Sequence, residues 1–304
     1  MRALLVACLA LPACVVLDPL EGDDPAPVEP APQPAPQPAP AAGSGTSRIA
    51  AIADRAAPGH QHWQLRDDRE HTDAAIEVWT AYAAHHPNDA AVRIRLARAH
   101  VFLAEAFLRD DATAQLNALD AAIAWGEGAL VAVSPEFSEA MRGGAKFSEA
   151  AKVLGVDAVP ALYWYTRALE GWARRKGFAV LLGQKDNLKA AMEVCLAVDP
   201  TFFHGGPERA FGSYLAVLPA FAGGDLKLAT AHYEQALSAA PDFAETKLQW
   251  AVDLALKQQD RATFERLLAE VLDTPDDAVP GAAPETRVTK ARAREWLEQA
   301  DDLF

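Results

Sequence analysis

Cysteine is nearly missing from the body of this 304-residue chain: Cys8 and Cys14 lie at its very start, and Cys195 stands alone. No internal disulfide can then staple the body. Cys195 sits in the apolar spacing Leu188, Ala191, Met192, Cys195, Leu196 and reads as a small buried thiol. Alternating runs of β-branched residues are lacking as well, which removes the signal for a sheet. Positive charge is scarce, with 28 Lys and Arg against 42 Asp and Glu and a net charge of -14. Such a field repels phosphate backbones, and Arg174-Arg175-Lys176 makes no basic stripe, so no nucleic-acid partner is expected. Catalytic signatures are absent too. There is no Gly-x-Ser-x-Gly elbow and no P-loop, and Gly143-Gly144-Ala145-Lys146-Phe147 lacks the spacing and the Ser or Thr of a phosphate cradle. His60, His62 and His71, or the adjacent His85 and His86, lack the three- or four-residue spacing with carboxylate support that a helical metal site uses. The reading is of a protein with no cofactor, no metal and no catalytic role.

What the chain does have is a composition, 51% hydrophobic and 23% charged, that sustains a sizeable core. Met1-Arg2 and the apolar run that follows form an export signal, too short to span a membrane. Leu11-Pro12-Ala13-Cys14 reads as a bacterial lipobox with a proline in one small position, which makes Cys14 the expected lipidation site. Leu5-Val6-Ala7-Cys8 fits the letters but leaves too short an apolar region, and a plain secretory signal with incidental cysteines is the alternative. Val15 is not an aspartate; by analogy with enterobacterial sorting, the destination is the outer membrane, lipid-anchored and facing the periplasm. From Pro19 to Pro40 nine prolines and little apolar bulk describe a polyproline II spacer. At about 3.1 Å per residue it reaches on the order of 70 Å. The expected division is a lipoprotein signal peptide over 1–14, a disordered Pro-rich tether over 15–47 and a helical domain over 48–304.

Beyond Gly45 apolar residues recur at three and four positions almost to the end, the period of helices. Stop and start signals come together at His86-Pro87-Asn88-Asp89, Ser134-Pro135, Asp199-Pro200 and Pro241-Asp242, where Asp242 and Glu245 have the spacing of a capping box. Ala210 to Phe243 fits the 34-residue tetratricopeptide pattern, with Gly224, Ala229, Ala236 and Pro241 in small or turn positions and Tyr233 in the aromatic one. Ala75, Trp79, Tyr82 and Pro87 give a partial match, and Leu188, Met192, Cys195 and Pro200 a weaker one. A further pair is expected at about 243 to 272, and single helices at about 90–109, 114–133, 157–176 and 286–300. The expected class is all-α, a tetratricopeptide-like solenoid of helical hairpins.

Four segments, ALYWYTRALEGWA (161–173), DPTFFHGGPERAFGSYLAVLPAFAGGD (199–225), QQDRATFERLLAEVL (258–272) and KARAREWLEQADDLF (290–304), resemble the T component associated with tripartite ATP-independent periplasmic (TRAP) transporters, the TatT family of bacterial lipoproteins. The resemblance runs in order from about Trp63 to Phe304, and HGGPERAFG and the DDLF end are its most specific parts. It implies cryptic tetratricopeptide-like motifs, a lipid anchor, a homotrimer, a periplasmic TRAP-type solute-binding protein as partner, and a small organic ligand rather than a reaction. The alternative function is that of a general tetratricopeptide scaffold lipoprotein for protein–protein interaction in envelope assembly.

Two candidate sites follow. His204-Gly205-Gly206-Pro207-Glu208-Arg209, with Gly212 beyond it, precedes a helix, so its glycines and Arg209 have the chemistry to hold a carboxylate. Equally, the glycines permit a tight turn, Pro207 takes a first-turn position and Arg209 pairs with a neighbouring acid. Tyr163, Trp164, Tyr165 and Trp172 are more aromatics than one buried stripe needs, and with Phe178, in an apolar break after Gly177, they are candidate ligand or pore residues. Packing between helices is the other use for them.

Overall fold

The computed structural model describes residues 58–304, and the signal peptide, Cys8, Cys14, the tether and residues 48–57 lie outside them. The described residues are all-α, without a strand among them. After a first helical segment at 58–64 come α1 (Arg69–His85), α2 (Ala90–Ala106), α3 (Ala112–Val133) and the short α4 (Pro135–Arg142). Then follow α5 (Val159–Lys176), α6 (Phe178–Val198), α7 (Phe202–Val217) and α8 (Leu226–Ala239). Helix α9 opens as Ala244–Gln249, widens into a π-helical stretch Trp250–Ala255 and closes as Leu256–Gln258. Helices α10 (Arg261–Asp273) and α11 (Ala283–Glu298) complete the array, with one last turn at Ala300–Leu303.

The punctuation that separates these helices is chiefly aspartate. Asp68, Asp89, Asp111, Asp225 and Asp260 each accept a backbone N–H of the first helical turn, as does Ser134 ahead of Pro135. A cap of this kind satisfies one amide that the helix leaves free and is worth about 1 kcal/mol. The expected capping box of Asp242 and Glu245 does not form: Phe243 is the N-cap, no side chain caps it, and Glu245 turns inward to Arg167. The apolar break expected after Gly177 is also absent, because Gly177, at φ 117°, ends α5 and Phe178 starts the 21-residue α6 at once.

Helices adjacent in sequence lie against one another as hairpins, with second contacts of α2 to α5 and of α7 to the π-helical part of α9. Their apolar faces are those the spacing marks. Ala75, Trp79 and Tyr82 are buried in the first hairpin beside Val92 and Leu96. Leu188, Met192 and Cys195 are buried in the central core, where Ala229 and Tyr233 lie between α7 and α9. Leu248, Phe264, Leu267 and Leu268 form the last core. Each large apolar side chain buried in this way contributes roughly 1.5–3 kcal/mol.

The two ends of the array meet. Arg66, only 1% exposed, donates from Nε to Glu285 Oε1 at 3.1 Å and from Nη2 to Glu285 Oε2, and also to the carbonyls of Trp63 and Gly281. Arg98 Nη2 reaches the same carboxylate at 2.8 Å. Asp67 accepts from Arg287 at 2.6 Å, and Arg109 donates to Glu295 at 2.7 Å. Helix α11 is thereby tied to the first turn and to α2.

Two outcomes are expected of stability measurements. Glu285→Ala leaves Arg66 buried without a counter-charge, and urea unfolding is expected to show a loss of about 3–5 kcal/mol, far more than Arg66→Met/Glu285→Met together. Gln259 holds φ 58° in an exposed turn between α9 and α10, a conformation that costs a side chain about 1–2 kcal/mol. Gln259→Gly is therefore expected to raise stability by roughly 0.5–1 kcal/mol in the same assay.

Candidate functional site

The residues singled out in the sequence separate into two groups. Tyr163 and Trp164 line a narrow cavity of about 30 Å³ together with Arg98, Phe203, Arg167, Glu245 and Glu285. Trp172 and Phe178 line neither this cavity nor the larger one; Phe178 is half exposed at the start of α6, and Trp172 lies under Lys176, whose Nζ is 5.6 Å from its ring. Arg209 is completely buried. It donates to Tyr163 Oη at 2.9 Å and to His204 O at 3.1 Å, and its guanidinium lies 4.7 Å from the Phe243 ring.

The motif around it is a left-handed turn. Phe203, His204 and Gly205 have φ of 46°, 59° and 70°, and the right-handed helix begins only afterwards, with Pro207 in its first turn. Glycine is required here by contact as well as by angle. A Cβ on Gly205 would lie 3.0 Å from Ala236 O, and one on Gly206 would lie 2.7 Å from the Tyr163 ring. The turn presses Phe203 edge-on against Trp164 at 4.7 Å and stacks His204 on Phe243, also at 4.7 Å. Burial, then the charges of Arg209 and Arg98, push the His204 pKa down, which favours the neutral ring.

A second cavity, of about 370 Å³, adjoins this cluster, and the two share Glu105 and Arg167. Its size falls in the usual range for small-molecule sites, about 300–1,000 Å³. The wall is built from polar stripes on helices that are otherwise packed by apolar residues. Helix α5 contributes Arg167, Glu170, Gly171 and Arg174, at the three- and four-residue spacing that puts them on one face. Helix α7 adds Ser213, α9 adds Gln249 and, from its π-helical stretch, Val252 and Asp253, and α11 adds Arg292 and Trp296. A π turn is a rare element that recurs at functional sites. Arg109, Arg167, Arg174, Arg175 and Arg292 face Glu105, Glu170 and Asp253 across this space, with Glu245 and Glu295 pairing Arg167 and Arg109 from behind the lining, in a chain whose net charge is -14. Neither Arg175 nor Arg292 has a carboxylate within 4.0 Å, and Arg292 donates no hydrogen bond among the described residues. Sequence reading weighed Arg174-Arg175-Lys176 only as a basic stripe and placed none of these residues in a site; the signal that marks them is the spacing of Arg167, Glu170 and Arg174 on one largely apolar helix.

Two networks organise the wall. Arg167 Nη2 donates to Glu105 Oε1 and to Glu245 Oε1, both at 2.8 Å, and Gln249 Nε2 donates to the same Glu245 oxygen. Arg174 grips Asp253 through Nη2 at 2.6 Å and Nη1 at 3.3 Å. Burial works to raise the pKa of Glu245 and of Asp253, but Arg167, Arg209 and Arg292 together outweigh it in the first case, and Arg174 with the Ser213 hydroxyl and Arg292 in the second, so both carboxyls lie below their ordinary values. Glu170 behaves oppositely, because burial there outweighs Arg174 and Arg167 and lifts its pKa.

A carboxyl with a depressed folded pKa contributes stability that is complete above its unfolded value and is lost as pH falls through the folded one. Glu245 and Asp253 therefore stabilise the fold at neutral pH and release it in acid. Arg167→Met removes the cation that holds Glu245. It is expected to cost about 3–5 kcal/mol in urea unfolding at pH 7, and that cost is expected to shrink as pH falls and Glu245 becomes protonated in both proteins.

The described residues hold no convergent set of three or more His, Cys, Asp or Glu; His62 and His71 approach only each other, Nδ1 to Nδ1 at 2.8 Å. No curated protein is significantly similar to the chain. The family model of the TRAP transporter T-component, TAtT, does match, over residues 69–304, which takes in every helix from α1 to the carboxyl end and both cavities. With most of its length matched in that way, the chain belongs to the TRAP transporter T-component family.

Proposed function

We propose that the protein receives a small organic anion in the 370 Å³ cavity and hands it to, or accepts it from, a periplasmic solute-binding protein of the TRAP class. The observation that carries this reading is Arg292, which has no carboxylate within 4.0 Å among the described residues, in a cavity lined by four further arginines of an acidic protein. Arg292 above all has no ion pair to lose when a carboxylate arrives, and Trp296, Leu248 and Val252 offer apolar wall beside it. Charge-assisted hydrogen bonds to such a group are among the stronger ones available. The chain's place in a family of transporter components favours binding over catalysis. In the same reading the hairpins form a tetratricopeptide-like array, the protein assembles as a homotrimer, and a lipid on Cys14 anchors it to the outer membrane, facing the periplasm.

Calorimetric titration with benzoate, a small carboxylate with a flat apolar body, tests the cavity. Arg292→Ala is expected to weaken benzoate binding at least about tenfold, the equivalent of 1.4 kcal/mol, while leaving the thermal midpoint unchanged. Equal affinity in the two proteins would remove Arg292 from the site. Sedimentation with a purified TRAP-type solute-binding protein is expected to give a joint species; separate boundaries at micromolar concentrations would argue for the scaffold role instead.

A further inference from the structure

Ser213 has one hydroxyl hydrogen and touches two carboxyl groups. Its Oγ lies 2.7 Å from Asp253 Oδ2 and 3.1 Å from Glu170 Oε1. Both separations are hydrogen-bond distances between oxygens, and a single hydrogen cannot serve two ionised carboxylates. Given to Asp253, it leaves an ionised Glu170 facing the lone pairs of Ser213. Given to Glu170, it creates the same repulsion at the shorter Asp253 contact. Arg174 Nη1 donates to Ser213 Oγ at 3.3 Å and so occupies one of its lone pairs, but the one hydroxyl hydrogen still cannot serve both carboxylates, and the cluster is fully paired when one carboxyl is protonated and donates to Ser213. Asp253 is not that group, because both its oxygens accept from Arg174, the arrangement of an ionised carboxylate. Glu170 meets Arg174 only at 3.4 Å, through the oxygen that also meets Ser213.

We propose that Glu170 is held as a neutral carboxylic acid in the wall of the cavity, and that an organic anion binds there together with this proton. The coupling rests on the reading of the cavity as an anion site; the protonation of Glu170 does not. Around Glu170 stand Arg167 and Arg174 on its own helix, Ser213 on α7, Tyr233 on α8 and Asp253 on α9, with Glu105 of α2 and Arg292 of α11 facing the same space. Glu105 and Asp253 disfavour a second full negative charge nearby, and an incoming carboxylate adds to that pressure. Protonation and anion binding therefore favour each other, and by linkage each changes the other's equilibrium by the same factor. The sign is fixed: anion affinity is highest when Glu170 is protonated and falls as pH rises through its pKa, which burial has lifted. Arg167 and Arg174 oppose the effect without removing it.

The full chain and Glu170→Gln, whose amide keeps the shape and the donor of a neutral acid, test both halves. Infrared difference spectra between the two at about pH 6 are expected to show one protonated-carboxyl stretch in the wild type that Glu170→Gln lacks; spectra without that band would overturn the protonated state. Benzoate affinity, titrated from about pH 5 to pH 9, is expected to fall by up to about tenfold per unit above the Glu170 pKa in the wild type and to stay nearly flat in Glu170→Gln. Identical pH profiles would overturn the coupling. Failure of both proteins to bind benzoate at any pH would remove the anion site and the coupling with it, while the infrared band would still decide the state of Glu170.

Discussion

The tie between the two ends of the described chain centres on one carboxylate. Glu285 lies near the start of α11, and Arg66 and Arg98, from the beginning of the described chain, both close on it. Seven and eleven residues farther along the same helix stand Arg292 and Trp296, which wall the large cavity. Were α11 free to swing away, the cavity would become an open groove between α5 and α9. The helix is prepared for this position. Thr286 and Thr289 return their hydroxyls to the carbonyls of Ala282 and Glu285, so the hydroxyls of these threonines, too, are satisfied.

The interior is costly by the ordinary standards of protein cores. Buried ion pairs seldom stabilise a fold more than well-packed apolar residues of the same volume, because each charge must first leave water. Here Arg167, Glu245, Glu170 and Asp253 lie inward, on helices whose other faces are apolar, while Arg174 reaches Asp253 from the more exposed end of its helix. That cost favours the binding role proposed for the cavity over a purely structural one. The same networks give the site its rigidity: Arg167 ties α2, α5 and α9 together, and the Ser213 cluster ties α5, α7 and α9.

Helices, their buried faces and the caps at Asp89 and Ser134 were legible in the sequence because they follow from local rules. Aspartate before an apolar run, proline after a small residue, and Ala229, Tyr233 and Ala236 at helical spacing need no knowledge of distant neighbours. The cavity was not legible, since it is made where stripes from α2, α5, α7, α9 and α11 converge, and no one stripe declares its partners. Arg209 shows the difficulty from the other side. Its position beside two glycines suggests an anion cradle, whereas the fold uses it to hold the carbonyls of a left-handed turn and the Tyr163 hydroxyl. Glu245 misleads in the same way. Its spacing from Asp242 is that of a helix cap, but the ion pair with Arg167 draws it into the core.

Stacked hairpins ordinarily add or lose units with little consequence, because each touches only its neighbours and the ends are independent. Joining the last helix to the first turn removes that freedom. A hairpin inserted or removed between them would part Glu285 from Arg66, so this one ion pair fixes how many helices lie between the first described turn and α11.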